Sequence, residues 1–524
     1  MCSSRSLTAE LPVEILLRVV DYLDSVADIL HLQQTCKLFD NLIDKSTDVW
    51  RSYLRRQCAQ HELFTPSYNE LTSPSDFKEA ATASFRFVKA HGRGATLDYM
   101  STSYHKLELS YPPMDAKWRP VPVPLDATAI WIVPGGRYLI TLGSHWLSVW
   151  DLKEIPVPTL LLRFPIKHCL FLLYAKVVDD QTIRILYEVE VDNTNPAFAG
   201  DTKYEYVWLD LKLSKQKQWS ARITSQISLS LPVQFVPFKL SLLREKIVIV
   251  FEDRRGFSSG ISFLWDHVSN RYTCWRADLP DLANLSQVIL RDDYILYLCH
   301  IKGIYGVKVP STNHQVMSDE CINLWPILSP VQPDFYTRND PSNIGGDFAL
   351  MRLTRSAGFR IQTIDDKSFN YEFCQKQVNG EPMIHRYHFS LNAEDPSKSV
   401  LKPLDSLAFR GPNPDLTTLY DLSGKIYEIC DSSIPMAVIW TNKQQASISL
   451  LPSLADTMSK DVSNPKTEVK LVPWGEYVHA PPGLTEKYSL CPASGMFAVL
   501  WYDEDGRWEI DSSSGTGVNI YYPI

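Results

Sequence analysis

Glycine and proline are almost missing from the start of the chain and crowd into the rest. Residues 7–60 hold no glycine and only Pro12, and their apolar residues return every three to four positions, the period of a helix with one buried stripe. After about residue 111 prolines cluster, at Pro112 and Pro113 and again at Pro120, Pro122 and Pro124. There, short runs rich in Val, Ile, Leu, Tyr, Phe and Trp alternate with turn residues, as in antiparallel strands joined by turns. A multidomain chain is predicted, with a small all-α start and an all-β remainder.

Pro12 suits a first helical position, where its missing N–H costs nothing. Behind it Ile15, Leu16, Val19, Val20 and Leu23 form one wide stripe. Ser25 and Asp28 have capping-box spacing and open a second helix through Ile29, Leu30 and Leu32. Thr35 is placed to cap a third helix carrying Leu38, Phe39, Leu42 and Ile43, and Thr47 or Asp48 a fourth with Trp50, Tyr53 and Leu54 inside. Residues 61–74 read as a loop. Residues 75–90 read as a further amphipathic helix, through Phe77, Ala80, Ala81, Phe85 and Val88, able to couple the first helices to the β remainder. So small a cluster has too little volume to bury two apolar faces per helix. Some of Leu11, Ile15, Leu16, Val19 and Leu32 are therefore expected to face outward, and an exposed apolar patch marks a partner site.

The run Leu11-Pro12-Val13-Glu14-Ile15-Leu16, then Tyr22-Leu23, Asp28-Ile29-Leu30-His31-Leu32, Thr35-Cys36-Lys37 and Trp50-Arg51, resembles the F-box motif in order and spacing. The resemblance implies a domain at residues 5–60 that docks on the Skp-type adaptor, and through it the cullin, of an SCF (Skp, cullin, F-box) ubiquitin ligase. It implies adaptor contacts from Leu11, Pro12, Glu14, Ile15, Leu16, Val19, Leu23, Ile29, Leu32, Cys36 and Trp50. The rest of the chain would then hold an unidentified protein target for ubiquitination. An ordinary helical bundle packed on its own protein is the alternative.

In residues 134–152 a Gly135-Gly136 turn feeds one strand, Gly143-Ser144 makes the next turn, and a second strand ends on Trp150-Asp151. This resembles the middle of a WD-type propeller blade. Fainter strand pairs are read at 183–191 with 204–211, 246–251 with 261–266, 294–300 with 303–309, 348–353 with 358–364, 436–440 with 446–451, and 496–501 with 518–522. Trp150, Trp208 and Trp265 fall 58 and 57 residues apart. The expectation is a coupling segment at residues 61–95, then a single β-propeller of about seven degenerate blades at residues 96–524. Its last strand would share a blade with one near residues 96–109, and the β part should fold alone from about residue 91. Stacked sheets or tandem sandwiches are the alternative. Only two Trp-Asp dipeptides fit and no Gly-His pair precedes them, so target-reading residues of WD-type F-box proteins are not carried over.

The remaining features mainly exclude. A formal net charge of -8 lacks the basic excess of a nucleic-acid binder. The 10 cysteines are scattered without a Cys-x-x-Cys pair and read as reduced thiols of a cytosolic or nuclear protein. The N-terminus lacks the apolar run of a signal peptide. The most apolar window, residues 160–178, is broken by Arg163, Pro165, Lys167 and His168, so no membrane span is expected. The sequon at Asn284 would not meet the glycosylation machinery in such a compartment.

Gly256-Phe257-Ser258-Ser259-Gly260 has the form of a nucleophile elbow, yet a strand follows where a helix is needed. His385 and His388 lie on a strand-like segment that sends them to opposite faces. With no phosphate loop, no cofactor and no catalysis by this chain alone are expected. Arg254, Arg255, Arg291, Arg352 and Arg355 are candidates to clamp an acidic or phosphorylated peptide, or simply solvated arginines. Beside the ligase-subunit reading stands a non-catalytic scaffold that assembles proteins without ubiquitin transfer.

Overall fold

The structure, a computed structural model, describes residues 11–92, 104–107, 127–154, 158–190, 201–253, 259–279, 285–299, 303–311, 314–315, 321–324, 330–338, 360–363, 367–376, 382–392, 394–410, 423–427, 436–441, 446–451, 469–473, 488–491, 493–494, 496–501 and 517–521. Helices α1 (Val13–Asp21), α2 (Val26–Thr35), α3 (Lys37–Asp44), α4 (Thr47–Gln60) and α5 (Pro74–Gly92) come first, and several sheets follow.

The caps explain the helix boundaries. Pro12 stands one residue ahead of α1, where its carbonyl accepts from Ile15 and Leu16. Ser25 caps α2 by accepting from the Ala27 N–H at 3.1 Å, and Ser46, not Thr47 or Asp48, caps α4 through Val49. Thr35 does not cap α3. It closes α2, its hydroxyl donating to the Leu32 carbonyl at 2.7 Å. A reciprocal pair opens α5: Asp76 N–H donates to Ser73 Oγ at 3.1 Å and Ser73 N–H to Asp76 Oδ2 at 3.0 Å, a capping box that ties down two orphan donors.

The strands fall into consecutive antiparallel runs. The first is Ala127–Ile132, Tyr138–Gly143, Trp146–Asp151 and Thr159–Pro165. The second is Cys169–Asp179, Thr182–Glu190, Asp201–Leu213 and Trp219–Pro232, and the third Phe235–Leu243, Lys246–Asp253, Ser259–Asp266 and Arg271–Asp278. The fourth is Leu285–Leu290, Tyr294–Cys299, Gly303–Lys308 and Phe335–Arg338. Arg360–Thr363, Ser368–Lys376, Pro382–Ser390 and Val400–Arg410 make a fifth run. It is bridged at Phe409 and Arg410 to a sixth of Ser423–Tyr427, Met436–Thr441, Ala446–Leu451 and Val469–Pro473.

The last sheet takes Tyr488–Cys491, Met496–Trp501 and Gly517–Tyr521 from the far end of the sequence and its outer strand, Tyr104–Leu107, from the near end. Tyr104 lies opposite Tyr521 and Leu107 opposite Val518, the pairing of distant segments expected from the sequence. Only one side of the pairing expected between 348–353 and 358–364 is described. Arg360–Thr363 pairs with Ser368–Lys376, and residues 348–353 lie outside the described residues. Among the described residues the sheets form no demonstrated closed ring, so the architecture stands as several sheets.

The first four runs each pack on the next. Leu147 and Val149 share a cluster with Ile185 and Tyr187, Trp208 and Leu229 with Ile249 and Trp265, Val248 and Leu264 with Val288 and Tyr297, and Leu296 and Ile304 with Phe369 and Phe389. Covered on both faces, the strand Tyr138–Gly143 is buried at every position. The tryptophan spacing has a structural meaning: Trp150, Trp208 and Trp265 each stand on the third strand of their run and are essentially fully buried. Between Gly303–Lys308 and Phe335–Arg338 the chain travels back. Cys321–Asn323 adds to the edge of Trp219–Pro232, and His314–Gln315 and Pro330–Val331 to the edge of Arg271–Asp278, covering edges that would otherwise invite another chain.

The helical and β parts are not separate bodies. One cluster contains Leu16, Val20, Ile29, Trp50 and Tyr53 together with Ile130, Ile132, Leu139 and Trp150 of the first sheet and Cys491, Met496 and Ala498 of the last. A β fragment cut at residue 91 would lose the helical side of this core, contrary to the expectation that it folds alone. Removing residues 517–524 takes the partner of both Tyr104–Leu107 and Met496–Trp501. The truncated chain is predicted to aggregate on size-exclusion chromatography, and a monomer that melts like the parent would contradict this.

Candidate docking site

Helix α1 is apolar on two sides. Leu16 and Val20 are 2% and 1% exposed and enter the shared core, with Leu23 half-buried beside them. One step around the helix, Ile15 and Val19 are 45% and 46% exposed and Tyr22 is 84% exposed. Positions i, i+4 and i+7 align on a helix, so these three make one outward ridge. Leu11 and Val13 are further exposed apolar side chains at 45% and 48%, as is Leu38 on α3 at 40%. Pro12, Glu14 and Cys36 are exposed as well, and Leu32 is half-buried.

The expected contact set therefore divides. Leu11, Pro12, Glu14, Ile15, Val19 and Cys36 are available to a partner, and Leu23 and Leu32 partly so. Leu16, Ile29 and Trp50 are buried in the domain's own packing, with Trp50 Nε1 donating to the Ile43 carbonyl at 3.0 Å. The implied contact set leaves out the exposed apolar Val13, Tyr22 and Leu38, although the seven-residue step from Ile15 to Tyr22 is visible in the sequence. Cys36 stands at the N-cap of α3, where the backbone N–H of Phe39 holds its thiol below the ordinary value.

What fixes this ridge relative to the β part is the segment between α4 and α5. Phe64 is completely buried against Tyr138 and Trp219, with ring centroids 5.9 and 5.7 Å away, and its N–H donates to the Pro134 carbonyl at 2.9 Å. Gly135 is demanded by this contact. Its φ is +116°, and a Cβ there would lie 2.6 Å from Ser67 Oγ. Thr65 Oγ1 donates to Asp180 at 2.9 Å, and Lys176 pairs with Glu62 at 2.7 Å.

Glu70 gathers the charges. It accepts from Arg137 at 2.9 Å and Lys217 at 3.2 Å, and also from Lys153, while Arg137 pairs with Asp151 at 2.7 Å. Lys153, Arg137 and Lys217 together hold the Glu70 carboxyl down to about 2, from an ordinary 4.5. Of the arginines considered for clamping a peptide, Arg291 is buried and lies 5.1 Å over the Phe369 ring. Arg254, Arg255, Arg352 and Arg355 lie outside the described residues. The strand Ser259–Asp266 follows the elbow-like glycines, so that sequence lacks the helix its chemistry needs. Among the described residues no cluster of His, Cys, Asp and Glu could hold a metal ion, and no helix is long and apolar enough to cross a membrane.

A small helical domain with an exposed apolar ridge, carried on a large β part, is thus what the fold defines. A family model described as F-box-like matches residues 8–56, and the chain carries an F-box-like domain at its N-terminus. No curated protein sequence resembles the chain closely enough to count as a match. Among solved structures it is similar to Polycomb Repressive Complex 2 of Chaetomium thermophilum, with 10% identity over 80% of this chain and 98% of that one and a TM-score of 0.35. It is also similar to the parainfluenza virus 5 hemagglutinin-neuraminidase ectodomain, with 8% identity, 66% and 81% coverage and a TM-score of 0.33. A computationally designed protein, Ika8, gives 7%, 76%, 97% and 0.32. At such scores these likenesses carry no argument.

The two sides of α1 should respond differently to truncation. Leu16→Ala should cost about 2–5 kcal/mol of stability, as for a buried leucine, and Ile15→Ala less than about 0.5 kcal/mol, both read by denaturant unfolding; equal costs would contradict the two-sided helix. Because the folded-state pKa of Glu70 is depressed, its contribution is fully present above pH 4.5 and is lost as the pH falls toward about 2. Thermal melts across that window should drop less for Glu70→Gln than for the wild type.

Proposed function

We propose that this protein is the substrate-recognition subunit of an SCF-type ubiquitin ligase. An F-box-like domain suggests an adaptor role in such complexes in general, and F-box proteins generally act without catalysing the transfer themselves. The outward ridge of Ile15, Val19 and Tyr22 carries the finer reading. It is an apolar surface on a charged, small domain, and it fits a Skp-type adaptor that in turn binds a cullin.

The β part would be a single propeller holding a protein target. In support stand its seven four-stranded runs in chain order, the first five packed one on the next and the last, made from both ends of the β part, packed on the first. The contribution to ubiquitin transfer is geometric. A target held at a fixed distance from the loaded carrier reacts at high effective concentration, and the shared core keeps that distance from varying. Cytosolic or nuclear residence follows from this role.

Ile15→Asp with Val19→Asp should weaken adaptor binding on the order of 100-fold, because two carboxylates would be desolvated in an apolar interface. The melting temperature should stay put, since both side chains face solvent in the free chain. Unchanged adaptor binding would overturn the proposal. Adaptor binding without copurifying cullin would favour the scaffold.

A further inference from the structure

The fourth strand of the second run, Trp219–Pro232, has 14 residues and pairs along its length with Asp201–Leu213 on one side. On its other side Cys321–Asn323 adds in parallel, but only opposite Ser228, Leu229 and Ser230. Residues 220–226 pair with no strand on that side among the described residues. The chain itself thus shows that this edge accepts an added strand, and it leaves the longer part of the edge open. An open edge presents a row of backbone donors and acceptors that an extended segment can satisfy.

The two faces of this edge differ. Ala221 and Ile223 stand opposite Leu211 and Leu209, on the face that packs toward the first run, yet Ile223 is 41% exposed. Ser220 and Arg222 stand opposite Lys212 and Asp210, on the other face. Asp210 is engaged by Arg184, which donates to both of its oxygens at 2.8 and 3.1 Å. Arg222 and Lys212 are exposed, and their side chains have no partner among the described residues. The open edge is therefore apolar on one face and cationic on the other. A second copy pairing edge to edge would set cations against cations, which destabilises a sheet. The bulge at Thr224, where Trp208 faces Ser225 and Leu209 faces Ile223, also bends the strand away from a flat partner. A free extended segment can follow that bend.

We propose that residues 220–226 are a strand-addition site for an extended segment of a partner protein in which acidic and apolar residues alternate. Its backbone continues the edge on which Cys321–Asn323 already sits, its carboxylates meet Arg222 and Lys212, and its apolar side chains cover Ile223. Charge complementarity selects this occupant, since main-chain pairing gives affinity and the alternating side chains give specificity. The site lies on the β part and does not depend on the adaptor reading.

Fluorescence anisotropy of a labelled synthetic peptide alternating glutamate and valine, titrated with the full chain, tests this. The peptide should bind, and its lysine-for-glutamate analogue should bind more weakly on the order of tenfold. Arg222→Glu should reverse that preference, a gain for the lysine peptide that misfolding cannot produce. N-methylating one alternate set of the peptide's amides should abolish binding and methylating the other set should leave it, because only one set donates to the edge. Equal binding of the two peptides, equal effects of the two methylated sets, or no binding by either peptide would overturn the proposal. So would a full chain that sediments as a dimer and becomes a monomer on Ile223→Lys, which would give the edge to a second copy.

Discussion

Phe64 is fully buried although it stands in the connection between two helices, and the arrangement of the molecule depends on where its ring goes. It leaves the helical cluster and enters the first two sheets, between Tyr138 and Trp219. Aromatic triads of this kind bury large area and favour edge-to-face geometry, so the segment cannot slide without exposing the ring. The Gly135 turn closes over Ser67 only because it lacks a Cβ. Around this plug the Glu70 carboxylate collects cations from the first sheet and from the turn beyond the third strand of the second. Connection, sheets and helices are thereby locked in one orientation.

The lock makes sense of the division on α1. A helix that spends Leu16 and Val20 on a core shared with two sheets cannot turn its other face inward as well. Ile15, Val19 and Tyr22 remain outside because the volume under α1 is already filled. The outward ridge is thus a product of packing: the same constraint that fixes the domain leaves it exposed.

Much of this is legible in the amino-acid order. The helical period of residues 13–60 marks the four helices, and the Gly135-Gly136 and Gly143-Ser144 turns mark strands that the structure has. The spacing of Trp150, Trp208 and Trp265 anticipates three equivalent third strands. Local pattern does not say which apolar residue of α1 faces which way, because both sides carry the same residue types and the choice is made by tertiary contact. For the same reason the motif does not show that Leu16, Ile29 and Trp50 are buried in the core. Thr35 has the look of a cap for α3, yet the neighbouring helix claims it. Nothing local marks Phe64, whose burial depends on residues 74 and 155 positions away, and so the connection reads as an ordinary loop and the two parts as separable.

Calorimetry of the intact chain, with the helical far-ultraviolet signal and tryptophan fluorescence followed in parallel, tests the shared core most directly. A single cooperative transition is predicted, coincident in all three signals, and Phe64→Ala should lower it as one. A helical signal lost in its own earlier transition, with the β part melting later and indifferent to Phe64→Ala, would contradict the account.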